Sequence, residues 1–328
     1  MVSFILRRIL WALPTIFLIT IVTFVIIQLP PGDFVTSYVA QLKETGEDVT
    51  PAEEDALRDR FGLNDPFYVQ YYRWISGIVL EGDFGQSFDW NLPVSELIWQ
   101  RIGLTVVISL TSLLFTWIIA IPIGVFSATN QYSWFDYIFT VVGFIGRGIP
   151  NFLLALILMW LSFAYLGFNV GGLFSEDYVN APWSIAKILD LIAHLWVPVL
   201  VLGTGGAAGL IRIMRANMLD EIYKPYVETA YAQGLTSQRV IWKYPVRVAL
   251  NPFISTVGWA LPGLISGSII TSVVLNLPTT GPLLLRALLN QDMFLAGSFI
   301  LVLSAFTVVG TLLSDILLAW SDPRVRLS

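Results

Sequence analysis

The stretch from Ile102 to Phe135, IGLTVVISLTSLLFTWIIAIPIGVFSATNQYSWF, contains no formally charged side chain. A transmembrane helix needs about 20 mostly apolar residues, so this stretch holds one crossing plus a turn into the next. The composition of the whole chain agrees. Of 328 residues, 56% are hydrophobic and 12% charged, with mean hydropathy +0.73, against roughly 25% charged in an ordinary soluble domain. So few charges cannot cover a water-facing surface. The chain reads as an all-α polytopic membrane protein.

On either side of Ile102–Phe135, further apolar runs lie between charges. Ile9 to Leu29 follows Arg7 and Arg8 directly. It is longer than the roughly 7–15-residue apolar core of a secretory signal and has no Ala-x-Ala pattern after it, so it is expected to be a retained helix. Asp136 opens a run interrupted by Arg147 and ending before Glu176; Leu191 to Ile211, Val248 to Leu285 and Met293 to Ser314 follow. Val248 to Leu285 is overlong for one span, so its end is expected to be a loop or re-entrant piece. Six spans result.

Lys and Arg are retained in the cytoplasm. Between the first two spans, Pro30 to Arg101 carries five basic residues against thirteen acidic ones and is expected outside. Between the fourth and fifth, Arg212 to Arg247 carries six basic residues against Asp220, Glu221 and Glu228, and is expected inside. Six crossings return the chain to its starting side, so both termini are expected to be cytoplasmic. The outer stretch has a helix start at Thr50-Pro51-Ala52-Glu53, with proline in the first turn and acids near the positive end. It also holds Tyr68, Tyr71, Tyr72 and Trp74; packing at lipid headgroups and facing a partner both remain open for these rings. No repeat or linker marks a second domain, so residues 1–328 read as a single transmembrane domain.

Several chemistries are excluded. The chain has no cysteine and one histidine, which removes disulfides, thiolate catalysis and multi-histidine metal sites. Net charge −5 speaks against nucleic acid, which needs a concentrated basic face. No phosphate loop, nucleophile elbow or His-Glu-x-x-His helix occurs, so this chain is expected to be no enzyme. The cluster Gly203, Gly205, Gly206, Gly209 lies in an apolar run and is expected to let helices approach closely. Arg147, about 16 Å into a helix begun at Asp136, is expected near mid-membrane with Asn151 close by. A charge there lines a translocation path or is a structural pair. His194 is expected at the outer edge of its span, and Asp315 in a structural role.

The most informative segment is Ile211 to Asn251, IRIMRANMLDEIYKPYVETAYAQGLTSQRVIWKYPVRVALN. Lys224-Pro225 interrupts the helix, since the residue before proline avoids helical geometry. Val227, Ala230 and Tyr231 then share a face of a short helix, and Gly234 suits its C-terminal turn. A helix lying across the membrane surface fits a groove on a cytoplasmic partner or serves as an ordinary surface helix.

Glu228-Thr229-Ala230 with Gly234 four residues on resembles the EAA loop of binding-protein-dependent ABC importer permeases. Arg215 to Leu219 and Tyr226-Val227 resemble the dipeptide/oligopeptide/nickel branch. So do Phe4 to Asp33, Arg60 to Pro66 followed by Tyr71-Tyr72, and Asp315 with Asp322-Pro323-Arg324-Val325-Arg326. The family usually has a second alanine at Thr229 and basic residues near Tyr231 and Gln233. Leu277 to Pro282 replaces a more usual Pro-Gly-Leu-Gly, while Arg286 and Asp292 keep their places.

The resemblance implies the six-helix permease fold and an ATPase contact through Tyr226, Glu228, Thr229, Ala230 and Gly234. The implied partners are a second homologous permease subunit, two ATP-binding subunits carrying ATP and Mg, and an external or periplasmic solute-binding protein. No cofactor is implied for this chain itself. The implied location is a bacterial or archaeal inner membrane, and the implied cargo oligopeptide or oligosaccharide. An uncoupled channel or receptor, or an intramembrane enzyme, would need no ATPase partner.

Overall fold

The computed structural model describes residues 2–29, 31–44, 46, 49–167, 170–257 and 269–321. Those residues form helices and connections; among them no β-strand occurs, and one isolated bridge pairs Gln86 with Pro93. The helices are α1 (Val2–Gln28), α2 (Phe34–Glu44), α3 (Pro51–Phe61), α4 (Phe67–Ser76), α5 (Val94–Thr129), α6 (Trp134–Gly148), α7 (Asn151–Leu161) and α8 (Glu176–Val179). They continue with α9 (Ile185–Ile222), α10 (Pro225–Ala232), α11 (Ser237–Lys243), α12 (Pro245–Ala249), α13 (Ile269–Val274), α14 (Thr280–Leu289) and α15 (Met293–Ser321).

Four of these, α1, α5, α9 and α15, are long and apolar enough to cross a membrane. The expected third span is not one straight helix. It is α6 followed by α7, bent by 99°. The cause is local: Pro150 has no N–H to donate and pushes Ile149 to extended backbone (φ −85°, ψ 122°). The expected span Val248 to Leu285 includes residues 258–268, outside the described residues, as is the resembling ending Asp322 to Arg326. Its later part is α13, a tight turn and α14, in keeping with the expected loop or re-entrant end.

The chain divides into two compact units. One comprises residues 2–105 and 279–308. Here α3 starts as expected: the Thr50 side chain accepts from the Glu53 N–H, and the Glu53 carboxylate accepts from the Thr50 N–H at 2.8 Å. The Tyr68–Trp74 group divides by helical phase. Tyr68 and Tyr72 stand exposed. Trp74 is buried, stacks on Phe24 of α1 at 5.9 Å and donates to Ser298 Oγ at 3.2 Å, while the Tyr71 hydroxyl meets Thr20 Oγ1 at 2.8 Å. Asp292, fully buried, clamps the 86–93 loop: it accepts from Ser87 Oγ at 2.5 Å, the Asp89 N–H at 3.2 Å and the Leu295 N–H at 3.1 Å. Burial still pushes its carboxyl above the usual range.

The other unit comprises residues 106–278 and 309–328. Its core joins Ala120, Val125 and Ala128 of α5, Met214 and Met218 of α9, Val246 and Ala249 of α12, and Phe253. Glycines set the helix spacing, as the sequence suggested. A methyl on Gly203 would fall 2.5 Å from the Phe115 ring, and one on Gly124 would fall 2.5 Å from Met214 Cβ. Thr116 Oγ1 donates to the Gly203 carbonyl at 2.9 Å, the interhelical polar contact such close approach permits. At the start of α9, Lys187 Nζ donates to the Ala181 carbonyl at 2.6 Å, and Asp190 accepts from the Ser175 N–H at 2.8 Å and Oγ at 2.6 Å. His194 is buried within the protein, its Nδ1 2.8 Å from the Asp190 carbonyl. These contacts hold the 175–184 segment against α9.

Candidate functional site

The site begins where α9 ends. Lys224 takes extended backbone (ψ 149°) before Pro225, which occupies the first turn of α10, the position where its missing N–H costs nothing. The Val227 and Glu228 N–H groups fold back onto the Lys224 carbonyl at 2.9 and 3.3 Å. The break expected at Lys224-Pro225 is therefore a sharp corner between a 38-residue helix and an 8-residue one.

Val227 and Ala230 form the inner face of α10. Both are buried against Val240 of α11, with Leu235 and Tyr244 packed alongside. Tyr231, expected on that face, is 41% exposed instead. The i, i+3 spacing of Val227 and Ala230 already fills the contact with α11, and Tyr231 falls to its outer edge. Glu228 and Thr229 point away from the core and are exposed. The outward surface thus carries Glu228, Thr229 and Tyr231, and Tyr223 and Trp242 nearby are also exposed. Two small helices, braced on each other, present a polar and aromatic face on which Glu228 is exposed together with Arg239 and Lys243.

Gly234 closes α10 as expected. Its N–H donates to the Tyr231 carbonyl at 2.9 Å, with φ +80°, a conformation that favours glycine. The chain turns there into α11.

The corner carries a polar cluster that sequence reasoning missed. The Glu221 carboxylate, largely buried at the end of α9, is ion-paired with Lys224 and accepts the Tyr226 hydroxyl. Partial burial, and then the facing Glu221, raise the Tyr226 hydroxyl above its ordinary value of 10.0, so it remains a donor at neutral pH. The signal was present as Glu221-x-x-Lys224-Pro225-Tyr226, but the proline break hid that the three side chains converge. Below the corner, Arg215 forks onto buried Asp136 at the start of α6, with Nε at 3.1 Å and Nη2 at 2.9 Å. That bond places the α5–α6 turn and the α9–α10 corner at the same end of the unit.

Arg147 and Asn151 lie elsewhere. They flank the α6–α7 bend, Arg147 in the last turn of α6 and Asn151 in the first of α7. Arg147 therefore occupies a helix end, where the carbonyl dipoles favour a cation, and not the middle of a continuous span. Both face the glycine stretch of α9. Arg147 Nη1 lies 3.9 Å from where a Gly209 methyl would be, and Asn151 Oδ1 2.9 Å from a Gly205 methyl. Arg147 is exposed and makes no ion pair among the described residues. The structure brings these two to the same stretch of α9 and separates them from the α9–α10 corner. No cluster of three or more metal-ligating side chains occurs among the described residues.

Comparison with known proteins agrees with this architecture. Residues 120–327 match the family described as "Binding-protein-dependent transport system inner membrane component", and residues 1–111 match its N-terminal companion. The chain is 37% identical over 328 residues to the oligopeptide transport system permease protein AppB of Bacillus subtilis, covering 99% of this chain and 100% of that one. It is 31% identical over 340 residues to the dipeptide permease DppB of Alkalihalophilus pseudofirmus, covering 99% and 100%. It is also 31% identical over 328 residues to the oligopeptide permease OppB of Haemophilus influenzae, covering 99% and 100%.

Proposed function

We infer that this chain, which belongs to the binding-protein-dependent transport system inner membrane components, is a peptide-conducting membrane subunit of an ATP-driven importer. The observation that carries the coupling is the α9–α10 corner. A long apolar helix continues, through a pinned bend, into a short helix whose outer face is polar, aromatic and exposed among the described residues. Two ATPase subunits grip that face through Tyr226, Glu228, Thr229 and Tyr231. Their closure on ATP favours one conformation of the bundle over another, the differential interaction any driven change requires. A second, homologous permease subunit completes the path, and an external solute-binding protein delivers cargo to the acidic stretch before α5.

Peptide is favoured over oligosaccharide because the relatives named above are oligopeptide and dipeptide permeases. Arg147 and Asn151, at a break between helices, are placed where discontinuous membrane helices present polar groups to cargo. The corner and both termini are cytoplasmic, as the basic loops indicate.

The test is uptake by the reconstituted complex of labelled peptide and labelled oligosaccharide, with and without ATP. It is combined with crosslinking from a cysteine at Thr229, which the cysteine-free chain makes unambiguous. ATP-dependent peptide uptake and a crosslink to the ATPase are expected. Uptake that ignores ATP, with no crosslink, would identify an uncoupled channel instead.

A further inference from the structure

We infer that Glu221 is a positioning residue that aims the coupling helix, setting the angle at which α10 leaves α9. This rests on the reading of α10 as the ATPase contact.

The backbone determines the corner only in part. Tyr223 (φ −101°, ψ 10°) and Lys224 (φ −76°, ψ 149°) lie between the two helices, and the Lys224 N–H reaches back to the Glu221 carbonyl at 3.2 Å. Pro225 fixes its own φ and confines Lys224 to extended backbone, with ψ between about 120 and 160°, a range that still swings α10 as a body. Of two side-chain contacts to Glu221, that of Tyr226 spans this bond and narrows the range further, while that of Lys224 braces the carboxylate. The Glu221 carboxylate, 9% exposed, holds the ammonium of Lys224, which precedes α10, and the phenol of Tyr226, the second residue within it. Both bonds are charge-assisted, and the carboxylate end of each is largely shielded from water, although the Lys224 side chain is half exposed. The Tyr226 ring also lies 6.5 Å from that of Tyr244, which packs beside the α10–α11 contact. A push on the outer face of α10 therefore reaches α9 as rotation of the helix, and is not absorbed by bending at the corner.

The experiment uses the whole complex in vesicles, with permease, ATPases and binding protein. Two quantities are read: peptide imported per ATP hydrolysed, and the distance distribution between spin labels at Ile213→Cys on α9 and Ala232→Cys on α10, which is exposed and outside the proposed contact. Glu221→Ala is expected to broaden the distribution and lower import per ATP about tenfold, inside the range of coupling between linked sites. Glu221→Gln still accepts the Tyr226 hydroxyl and is expected to fall less far. Tyr226→Phe, which removes one hydroxyl and little volume, is expected to lose about threefold, the size of one hydrogen bond.

A narrow distribution together with unchanged import per ATP in Glu221→Ala overturns the positioning role. Should that variant not assemble, the same two results in Tyr226→Phe overturn it. The underlying reading fails separately. If Thr229→Cys in the otherwise unchanged chain crosslinks to no ATPase, α10 is not the contact, whatever the label distances show.

Discussion

At Gly234 the space around the backbone is open, with nothing within 4 Å of an added methyl, yet φ is +80°. At Gly124 the backbone is ordinary helix, yet Met214 Cβ and the Ile211 carbonyl oxygen stand 2.5 and 3.0 Å from where a methyl would be. The two glycines are needed for different reasons, so their variants should fail differently. Gly234→Val is expected to strain the turn by about 1–2 kcal/mol, misaiming α10 and weakening ATPase co-purification or coupled uptake. Gly234→Asn, which tolerates that region, should retain most function. Gly124→Val is expected to lower the melting temperature, since overpacking a close-packed contact costs about 1–3 kcal/mol. Full coupled uptake in Gly234→Val would show that the turn is not the pivot.

Among elements, the join between α6 and α9 and the start of α3 make the sharpest cases. In the Asp136–Arg215 pair the side chains are unequally buried, at 4% and 28% exposure. Removing Arg215 strands a buried carboxylate, whereas removing Asp136 leaves a guanidinium that reaches water. Arg215→Ala is therefore expected to destabilise more than Asp136→Ala, by up to about 3 kcal/mol for breaking a buried pair, measured by thermal unfolding in one detergent. Equal losses would mean that the guanidinium is as trapped as the acid.

The pH dependence of α3 follows from Glu53, whose carboxyl is held below its ordinary 4.5 by hydrogen bonds from Thr50. A lowered folded value means the stabilisation is present above the ordinary carboxylate value. It fades as pH falls through the lowered one. Amide protection in α3, taken relative to the intrinsic exchange rate, should fall as the pH drops below the ordinary glutamate range, and Glu53→Gln should flatten that response.

For the whole molecule, the cysteine-free background allows topology to be read with single cysteines. Gly46→Cys should label from outside and Ser237→Cys from inside; labelling of both from one face would overturn the orientation. Much of the architecture was legible beforehand, because hydrophobic run length and local caps are properties of neighbouring residues. The Thr50–Glu53 box, the Lys224-Pro225 break and the Gly234 turn were all readable for that reason. The bend at Pro150 was legible in principle, but the apolar composition around it masked the break. Tyr231 was misplaced because which turn of α10 packs inward depends on Val240, ten residues past Ala230. The Asp136–Arg215 fork and the fit of Gly203 against Phe115 join residues far apart in the chain, and no local pattern announces them.

The length of α9 has a further consequence. Its 38 residues span about 57 Å at 1.5 Å per residue, while hydrocarbon is about 30 Å thick and the bilayer with headgroups about 40–45 Å. The uncharged stretch Leu191 to Ile211 matches the hydrocarbon, which leaves the eleven residues from Arg212 to Ile222 reaching about 16 Å past its edge. That is a stand-off: the corner is lifted roughly 10 Å clear of the headgroups. An ATPase seated there touches protein and water, not lipid. Exchanging anionic for zwitterionic headgroups should leave coupling nearly unchanged, whereas thickening the bilayer shortens the stand-off and should weaken it.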